Sequence, residues 1–192
     1  MDSSQLRRQG LAARRALSPE QRRDFSRLIT ARLQAMPEYR AAHTVMLYRA
    51  TAGEVSTQGL EGKSFAYPRC IDGSRMEALI PESASAWEKG AFGIPEPVPE
   101  LSRQLKPEDI DLVICPCSAF DPDCRRLGMG KGYYDRFLPR CINAAFIALA
   151  FECQKVCGLS SQSWDVPMDM VITEKAVYRN PRPGAFKLPS GE

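Results

Sequence analysis

Two apolar segments, Leu112-Val-Ile-Cys115 and Phe146-Ile-Ala-Leu-Ala-Phe151, carry the strongest fold signal in the sequence. Neither contains a charged or polar side chain, so neither alternates between a buried and a solvated face. Strands that are covered on both faces have this pattern, which is typical of a parallel sheet flanked by helices. The two segments therefore predict an α/β protein with a mostly parallel central sheet.

Around these segments, short apolar stretches alternate with helical ones. Ser18 and Pro19 begin a helix, because serine caps helix N-termini and proline suits the first turn, and Pro37 ends it. The other predicted elements are strands over 44–48, 64–67, 76–80, 111–115 and 145–151, helices over 6–17, 57–62, 106–109 and 133–141, and an irregular region over 81–107. This alternation predicts a three-layer α/β/α arrangement.

The size and charge of the chain limit its organisation and its partners. Its 192 residues, 44% hydrophobic and 26% charged, suit one globular domain, predicted over 1–180 with a mobile tail over 181–192. A net charge of +3 is too small to indicate nucleic-acid binding. No window approaches the roughly 18 apolar residues that cross a bilayer. We expect a cytoplasmic monomer without a nucleic-acid or membrane partner.

Arginine is frequent near the N-terminus, where Arg7, Arg14 and Arg22 recur at steps of seven or eight residues. The segment has no apolar signal core, so we interpret it as the first helix of the domain rather than a targeting sequence. The arginine stripe is either a solvated helix face, which is the commoner case, or a surface for an anionic tail.

Cysteine and tryptophan are assigned to packing. Seven cysteines at scattered positions do not indicate a disulfide framework, and with one histidine they do not indicate a zinc site. Trp87 and Trp164 could line a ring-binding pocket, but tryptophans more often pack in the core.

The segment Arg126-Leu-Gly-Met-Gly-Lys-Gly-Tyr-Tyr-Asp135 is the strongest functional signal. Its alternate glycines allow backbone N–H groups to form an anion-binding nest, and Lys131 adds positive charge. The spacing is neither that of a P-loop nor that of the dinucleotide fingerprint, and no strand is predicted directly before it. From spacing alone the segment is either a phosphate site or a glycine turn. Asp135 is either a Mg²⁺ ligand or an acid that suits a helix start.

The segment closely resembles the signature loop of the 5-formyltetrahydrofolate cyclo-ligase family. Other pieces agree in order, namely Leu6-Arg7, Gly53-Glu54-Val-Ser-Thr57, Phe92-Gly-Ile-Pro-Glu-Pro97, Asp111-Leu-Val-Ile-Cys-Pro116 and Trp164-Asp165 with Asp169. The resemblance runs from about residue 6 to 179 and implies a NagB/RpiA/CoA-transferase-like fold. It implies a carbon–nitrogen ligase that uses ATP and Mg²⁺ to convert 5-formyltetrahydrofolate into 5,10-methenyltetrahydrofolate, ADP and phosphate.

The resemblance also implies roles for individual residues. Lys131 and Tyr133 would act in catalysis, and Asp135 and Asp169 would hold Mg²⁺. ATP would contact Arg7, Arg126, Leu127, Gly128, Met129, Gly130, Lys131, Gly132, Tyr133 and Tyr134. The folate, with or without a polyglutamate tail, would contact Arg49, Glu54, Phe92, Met129, Gly130, Lys131, Gly132 and Tyr133.

Two positions depart from the family pattern. Ser3 stands where the family usually has a lysine that contacts ATP, and Arg49 stands where an apolar residue is common. The missing charge at Ser3 leaves open a non-catalytic nucleotide- or folate-binding homologue. Intact Glu54, Lys131 and Asp135 favour the enzyme.

Overall fold

The computed structural model of the chain describes residues 2–90, 93–160 and 162–181. Within these ranges the α-helices are α1 Ser3–Ala16, α2 Pro19–Ala35, α3 Pro37–Ala41 and α4 Tyr133–Phe137. The strands are β1 Thr44–Met46, β2 Ser64–Cys70, β3 Met76–Pro81, β4 Trp87–Lys89, β5 Pro95–Pro97, β6 Ser102–Leu105, β7 Leu112–Pro116, β8 Ala119–Phe120, β9 Arg126–Leu127, β10 Ala145–Leu149, β11 Met170–Ile172 and β12 Val177–Arg179. None of the helices in these ranges is long and apolar enough to span a membrane.

An eight-stranded sheet occupies the centre, in the order β12-β11-β10-β7-β1-β2-β3-β6. The five strands from β11 to β2 pair in parallel, and β12, β3 and β6 pair antiparallel at the two edges. The two continuously apolar segments supply β7 and β10, which pair with each other near the middle of the sheet. Their burial on both faces explains the absence of polar alternation and confirms the predicted α/β class.

Each face of the sheet carries its own apolar core. On one face, Ile29 and Leu33 of α2 and Tyr39 of α3 join a cluster with alternate residues of β1, β7 and β10. On the other face, Phe137 of α4 and the adjacent Leu138 join a cluster with the remaining residues of the same strands. Helices therefore lie on both faces, which confirms the three-layer arrangement.

Helix α1 lies unusually close to the end of the sheet. An Asp2–Gln5 capping box begins the helix, in which Asp2 accepts from the Gln5 backbone N–H and Gln5 accepts from the Asp2 N–H. A Cβ atom added at Gly10 would lie 2.2 Å from the Ser118 carbonyl oxygen and 2.9 Å from Ala119 Cβ. Only glycine fits there, so Gly10 is required for the docking of the helix.

Gly10→Ala is therefore expected to destabilise the protein, although alanine normally favours a helix interior. Overpacking typically costs about 1–3 kcal/mol, which outweighs the roughly 1 kcal/mol gained in helix propensity. The melting temperature should fall by several degrees in a thermal scan. Gly73→Ala is the matched control, because a Cβ there meets nothing within 4 Å. An equal or higher melting temperature for Gly10→Ala would show that α1 is not held at this contact.

Two local predictions are wrong for identifiable reasons. The segment 57–62 is not a helix, because Gly59 and Gly62 adopt positive φ angles of 85° and 76° that interrupt helical geometry. The region 81–107 is not irregular, since it contains β4, β5 and β6. Pro95 and Pro97 are tolerated because they lie in β5, which pairs with β4 in a separate two-stranded ribbon.

The predicted helix over 133–141 is shorter than expected. Helix α4 ends at Phe137, and the chain continues as a 3-10 helix over Leu138–Arg140 that contains Pro139. Proline cannot donate to the preceding helical turn, which accounts for the change in helix type. The predicted mobile tail lies outside the described residues from position 182 onward.

Candidate active site

A cavity of about 920 Å³ opens at the carboxyl ends of the parallel strands. Residues that follow or end β1, β2 and β7 line it, namely Tyr48, Arg49, Pro68, Cys70 and Pro116. Ligands of open α/β sheets bind at this edge, because the connecting loops diverge there. The volume is also in the range of ligand sites, about 300–1,000 Å³.

The first two residues of the glycine loop form β9, the second strand of a short hairpin that the sequence did not predict. β9 pairs antiparallel with β8 through Ala119–Leu127 and Phe120–Arg126. The turn between them is closed by Asp121, whose Oδ1 accepts the backbone N–H groups of Asp123 and Arg125 at 3.1 and 3.0 Å. Two-residue strands leave no periodic signal in a sequence, which is why this one was missed.

The loop uses two of its glycines for backbone conformation. Gly130 and Gly132 have φ angles of 89° and 68°, in the left-handed region that favours glycine. At Gly132 a Cβ would also lie 2.8 Å from Arg136 Nη1. Every residue from Arg126 to Asp135 lines the cavity, so the structure brings the whole predicted loop to one site.

Cationic side chains surround the loop, among them Arg136, which donates from Nη2 to the Lys131 carbonyl at 2.6 Å. Arg7 of α1 donates from Nε to the Gly128 carbonyl at 2.8 Å. Arg126 is buried, donates from Nη2 to Asp135 Oδ1 at 3.0 Å, and leaves Nε without a hydrogen-bond partner among the described residues. Lys131 is exposed and, like Arg7, forms no ion pair within the described part of the chain. The loop therefore has positive charge that internal carboxylates only partly balance.

The two loop tyrosines are fixed differently. Tyr133 donates its hydroxyl to the Asp72 carbonyl at 2.8 Å. Tyr134 lies with its ring 5.5 Å from the Arg126 guanidinium, and its buried hydroxyl has no partner among the described residues. Burial holds the pKa of Tyr134 well above its ordinary value. Tyr134 is therefore a neutral hydrogen-bonding group at physiological pH.

A carboxylate turn forms a second part of the cavity wall. Glu54 Oε2 accepts the Thr51 backbone N–H at 2.9 Å and the Thr51 hydroxyl at 3.0 Å. The Tyr48 hydroxyl donates to the Val55 carbonyl at 2.6 Å and ties the turn to β1. Arg14 of α1 places Nη1 3.9 Å from Glu54 Oε1. Glu54 is thus presented to the cavity by a hydrogen-bonded frame.

Arg49 lies at the cavity wall on an aromatic support. Its guanidinium lies 4.6 Å from the Trp87 ring centre, a cation–π contact, and the Trp87 ring packs edge-on against Tyr67. Trp87 therefore has the packing role that was predicted. Arg49 forms no ion pair with a described acid. Phe92, the other residue predicted to border the folate, lies outside the described residues.

The two predicted Mg²⁺ ligands do not line the cavity together, because Asp135 is in the lining and Asp169 is not. Asp169 precedes β11, and its Oδ2 accepts the Phe146 backbone N–H at 2.8 Å near the amino end of β10, away from the edge that holds the cavity. Asp135 does line the cavity, together with Asp165. Asp165 therefore replaces Asp169 as the carboxylate near the loop. The sequence contains the Trp164-Asp165 pair, but no spacing signal links its acid to the loop.

The described residues contain no group of three or more His, Cys, Asp and Glu arranged to hold a metal ion by themselves. Asp135 and Asp165 are nevertheless hard oxygen donors beside the loop. Mg²⁺ typically binds one or two protein carboxylates and completes its shell with phosphate oxygens and water. The donor set therefore fits Mg²⁺ bound together with a polyphosphate.

Two further lining residues differ from their sequence-based interpretation. Arg14 is only 9% exposed, so it is not part of a solvated stripe. Trp164 is 67% exposed at the cavity, so it is not a packing tryptophan. The sequence does carry a signal for the position of Arg14. Its spacing of seven residues from Arg7 places both side chains on one face of the helix.

The cysteines at positions 70, 115 and 117 do not supply a nucleophile. Cys70 lines the cavity, but burial and then the neighbouring Glu96 raise the pKa of its thiol to about 11. Burial likewise raises the pKa of Cys115 and of Cys117 to about 12. All three remain protonated at neutral pH and are poor nucleophiles.

Together, the fold and the cavity define an α/β ligand-binding protein in which a cationic glycine loop and a framed carboxylate share one cavity. The chain belongs to the 5-formyltetrahydrofolate cyclo-ligase family, whose model its sequence matches over residues 1–174. The 5-formyltetrahydrofolate cyclo-ligase of Escherichia coli K12 is 32% identical over 177 residues, covering 86% of this chain and 96% of that protein. The Haemophilus influenzae cyclo-ligase is 31% identical over 176 residues, covering 85% and 93%.

Solved structures show the same relationship. The 5,10-methenyltetrahydrofolate synthetase of Aquifex aeolicus has a TM-score of 0.82 and 33% identity, with 97% of each chain covered. The synthetase of Mycoplasma pneumoniae has a TM-score of 0.74 and 25% identity, covering 91% of this chain and 99% of that one. The family predicted from the loop is therefore confirmed, and the chain is a member of an enzyme family.

Proposed function

We propose that this protein converts 5-formyltetrahydrofolate into 5,10-methenyltetrahydrofolate, with ATP as co-substrate and Mg²⁺ as the required cation. One observation carries the proposal: the loop over 126–135 and the framed carboxylate of Glu54 line the same cavity. A loop suited to phosphate and an acceptor suited to the N–H edge of a pterin ring can therefore hold two reactants against each other. Names of relatives support the ligase activity, and the site chemistry supports the nucleotide.

The proposed reaction has two steps. The formyl oxygen attacks the γ-phosphorus of ATP, the bond to the bridging oxygen breaks, and ADP leaves. The N-10 nitrogen then bonds to the activated carbon, the carbon–oxygen bond breaks with its electron pair leaving on phosphate, and N-10 loses its proton to solvent. Neither step needs an enzyme nucleophile, so positioning and charge stabilisation account for catalysis.

We assign the triphosphate to the loop residues Arg126 to Tyr134, with Arg7 reaching them from α1. Lys131 is the most suitable group for the transferring phosphoryl, because no described carboxylate pairs with it. Tyr133, with the backbone from Met129 to Gly132, would border the formyl group. Lys131 and Tyr133 thus act where the two reactants meet.

We assign the folate to the other part of the wall. Glu54 would accept hydrogen bonds from the pterin N–H groups, because its Oε1 makes no hydrogen bond with a described residue. Arg49 and Phe92 are proposed further along the folate, and the cation at Arg49 suits a glutamate carboxylate. We also propose a cytoplasmic, monomeric enzyme.

For Mg²⁺, we propose Asp135 and Asp165 as protein ligands in place of the predicted pair with Asp169. Asp135 uses Oδ1 to bind Arg126, and its Oδ2 makes no hydrogen bond with a described residue, so that oxygen is available to a cation. When bound, Mg²⁺ would neutralise phosphate oxygens as charge develops on them.

One observation supports a second candidate, a homologue that binds its ligands without turning them over. Ser3 lines the cavity beside Arg7, and its side chain carries no charge at a position where the family usually has lysine. Weaker nucleotide binding would follow from the missing charge. Arg7 and Lys131 remain to supply it, which is why we favour the enzyme.

One assay separates the two candidates. Purified protein is mixed with 5-formyltetrahydrofolate and Mg²⁺, with and without ATP, and the absorbance of methenyltetrahydrofolate is followed. We expect product only when ATP is present. Binding of both ligands by calorimetry without product would favour the non-catalytic homologue, and absence of both binding and product would refute both candidates.

Trp164 is expected to report ligand binding. Its indole is 67% exposed at the cavity, whereas Trp87 is held between Arg49 and Tyr67. In a Trp87→Phe variant, Trp164 is the remaining tryptophan, so saturating ATP with Mg²⁺ should shift or quench its emission. Trp164→Phe is the complementary control and should lose that signal. Unchanged emission from Trp164 across the ATP titration would place this residue outside the nucleotide site.

A further inference from the structure

Arg14, a member of the arginine stripe, is a buried cation in the cavity wall to which the family resemblance gave no role. Its side chain is 11% exposed, and the side chain of its nearest acid, Glu54, is 13% exposed. Both residues line the cavity, one from α1 and one from the turn after β1. A guanidinium at this depth is rarely retained without a partner, because the loss of hydration is costly.

The pairing of Arg14 with Glu54 is electrostatic rather than a direct hydrogen bond. Nη1 lies 3.9 Å from Oε1, beyond ordinary hydrogen-bond length, and the buried Nε has no partner among the described residues. In contrast, Thr51 fixes Oε2 with two hydrogen bonds of 2.9 and 3.0 Å. One carboxylate oxygen is thus anchored, while the other faces a cation and still has capacity to accept a hydrogen bond from a ligand.

The position of Arg14 is set by the same helix that contacts the glycine loop. Arg7 lies seven residues earlier, about two helical turns, so the two side chains leave α1 on one face. Between them, Gly10 docks the helix against the Ser118 carbonyl. Arg7 ends on the Gly128 carbonyl and Arg14 ends beside Glu54. Helix α1 therefore serves both parts of the cavity through separate residues.

We propose that Arg14 is a positioning residue that holds Glu54 for recognition of the folate ring, an inference that rests on the proposed function. The guanidinium supplies the charge that compensates the half-enclosed carboxylate and directs Oε1 toward the ligand. The ligand class is a heteroaromatic ring with adjacent N–H donors, such as a pterin. Loss of Arg14 should weaken folate binding selectively and leave the nucleotide end largely unchanged.

The test compares Arg14→Met with Arg15→Met. Arg15 is the next residue of α1 and is exposed outside the cavity lining, so it controls for the same loss of charge on the same helix. Dissociation constants for 5-formyltetrahydrofolate without ATP are measured by calorimetry, and KM values for both substrates are measured by absorbance. We expect Arg14→Met to weaken folate binding about 10- to 100-fold, the effect of losing a charge-assisted contact, with the ATP KM changed less than about threefold. Arg15→Met should match the wild type.

Two further variants separate positioning from general packing. Arg14→Lys keeps the charge and should recover part of the folate affinity, and it also serves if the methionine variant fails to fold. In a Glu54→Gln background, Arg14→Met should add little to the loss of folate affinity, because both changes remove the same arrangement. A packing defect would instead weaken the binding of both substrates. Its loss of folate affinity would add fully to the loss caused by Glu54→Gln.

The possible failures are distinguishable. If the wild-type protein forms product and both Arg14 variants keep the wild-type affinity for folate, the role of Arg14 is refuted and the proposed function stands. If the Arg14 variants weakened folate binding and ATP binding equally, the role of Arg14 would also be refuted. Absence of turnover in the wild type would overturn the proposed function, and the calorimetric folate affinities would still decide the role of Arg14.

Discussion

Lys131→Met is expected to lower kcat about 10³-fold, the upper end of the effect of losing one preorganised group that stabilises transition-state charge. Lys131 lies in a loop whose whole length lines the cavity, and no described acid balances its charge. Its ammonium group is therefore available to a transferring phosphoryl group. The transferring phosphoryl group needs this charge mainly in the transition state. Lys131→Met should therefore lower kcat more than it raises the KM for ATP.

The measurement is steady-state formation of methenyltetrahydrofolate at saturating ATP. Lys175→Met is the matched control, since Lys175 is exposed and lies outside the cavity lining. Both variants should melt within a few degrees of the wild type, because an exposed lysine contributes little to stability. A Lys131→Met enzyme with kcat within about threefold of the wild type would exclude this residue from phosphoryl transfer.

Asp135→Asn is expected to lower kcat about 10²-fold or more, comparable with the loss of another charge-stabilising group. Asparagine can still accept the Arg126 hydrogen bond, so the fold should persist while the negative charge at the loop is lost. The dependence of the rate on Mg²⁺ concentration should move to higher concentrations, because a neutral amide is a weaker Mg²⁺ ligand than a carboxylate. Wild-type kcat and wild-type Mg²⁺ dependence would remove Asp135 from the metal site.

Asp165 and Asp169 provide the matched comparison for that result. Asp165→Asn should lower kcat and shift the Mg²⁺ dependence in the same direction as Asp135→Asn, because both carboxylates line the cavity. Asp169→Asn should mainly lower the melting temperature, because its carboxylate accepts the Phe146 N–H where β11 begins. The opposite pattern, with Asp169 controlling the Mg²⁺ dependence, would contradict the proposed pair of Asp135 and Asp165.

The sequence predicted the elements whose signal is local and repeated. The continuous apolar runs in β7 and β10 identified the parallel sheet, since only strands covered on both faces lose their alternation. The helix over 19–35 was predicted from its serine cap and proline. Several wrong predictions fall where pairing with another segment decides the backbone, as in the edge strand β6 and in β9, which pairs with β8.

The sequence by itself determined the family, the α/β class and the loop over 126–135, because glycine spacing, charge and apolar runs are properties of contiguous residues. The tertiary structure alone decided which side chains share the cavity. It separated Asp165 from Asp169, four residues away, because one lies in the connection beside β9 and the other enters β11. It also buried Arg14 beside Glu54, forty residues further on, because Gly10 allows α1 to dock against Ser118.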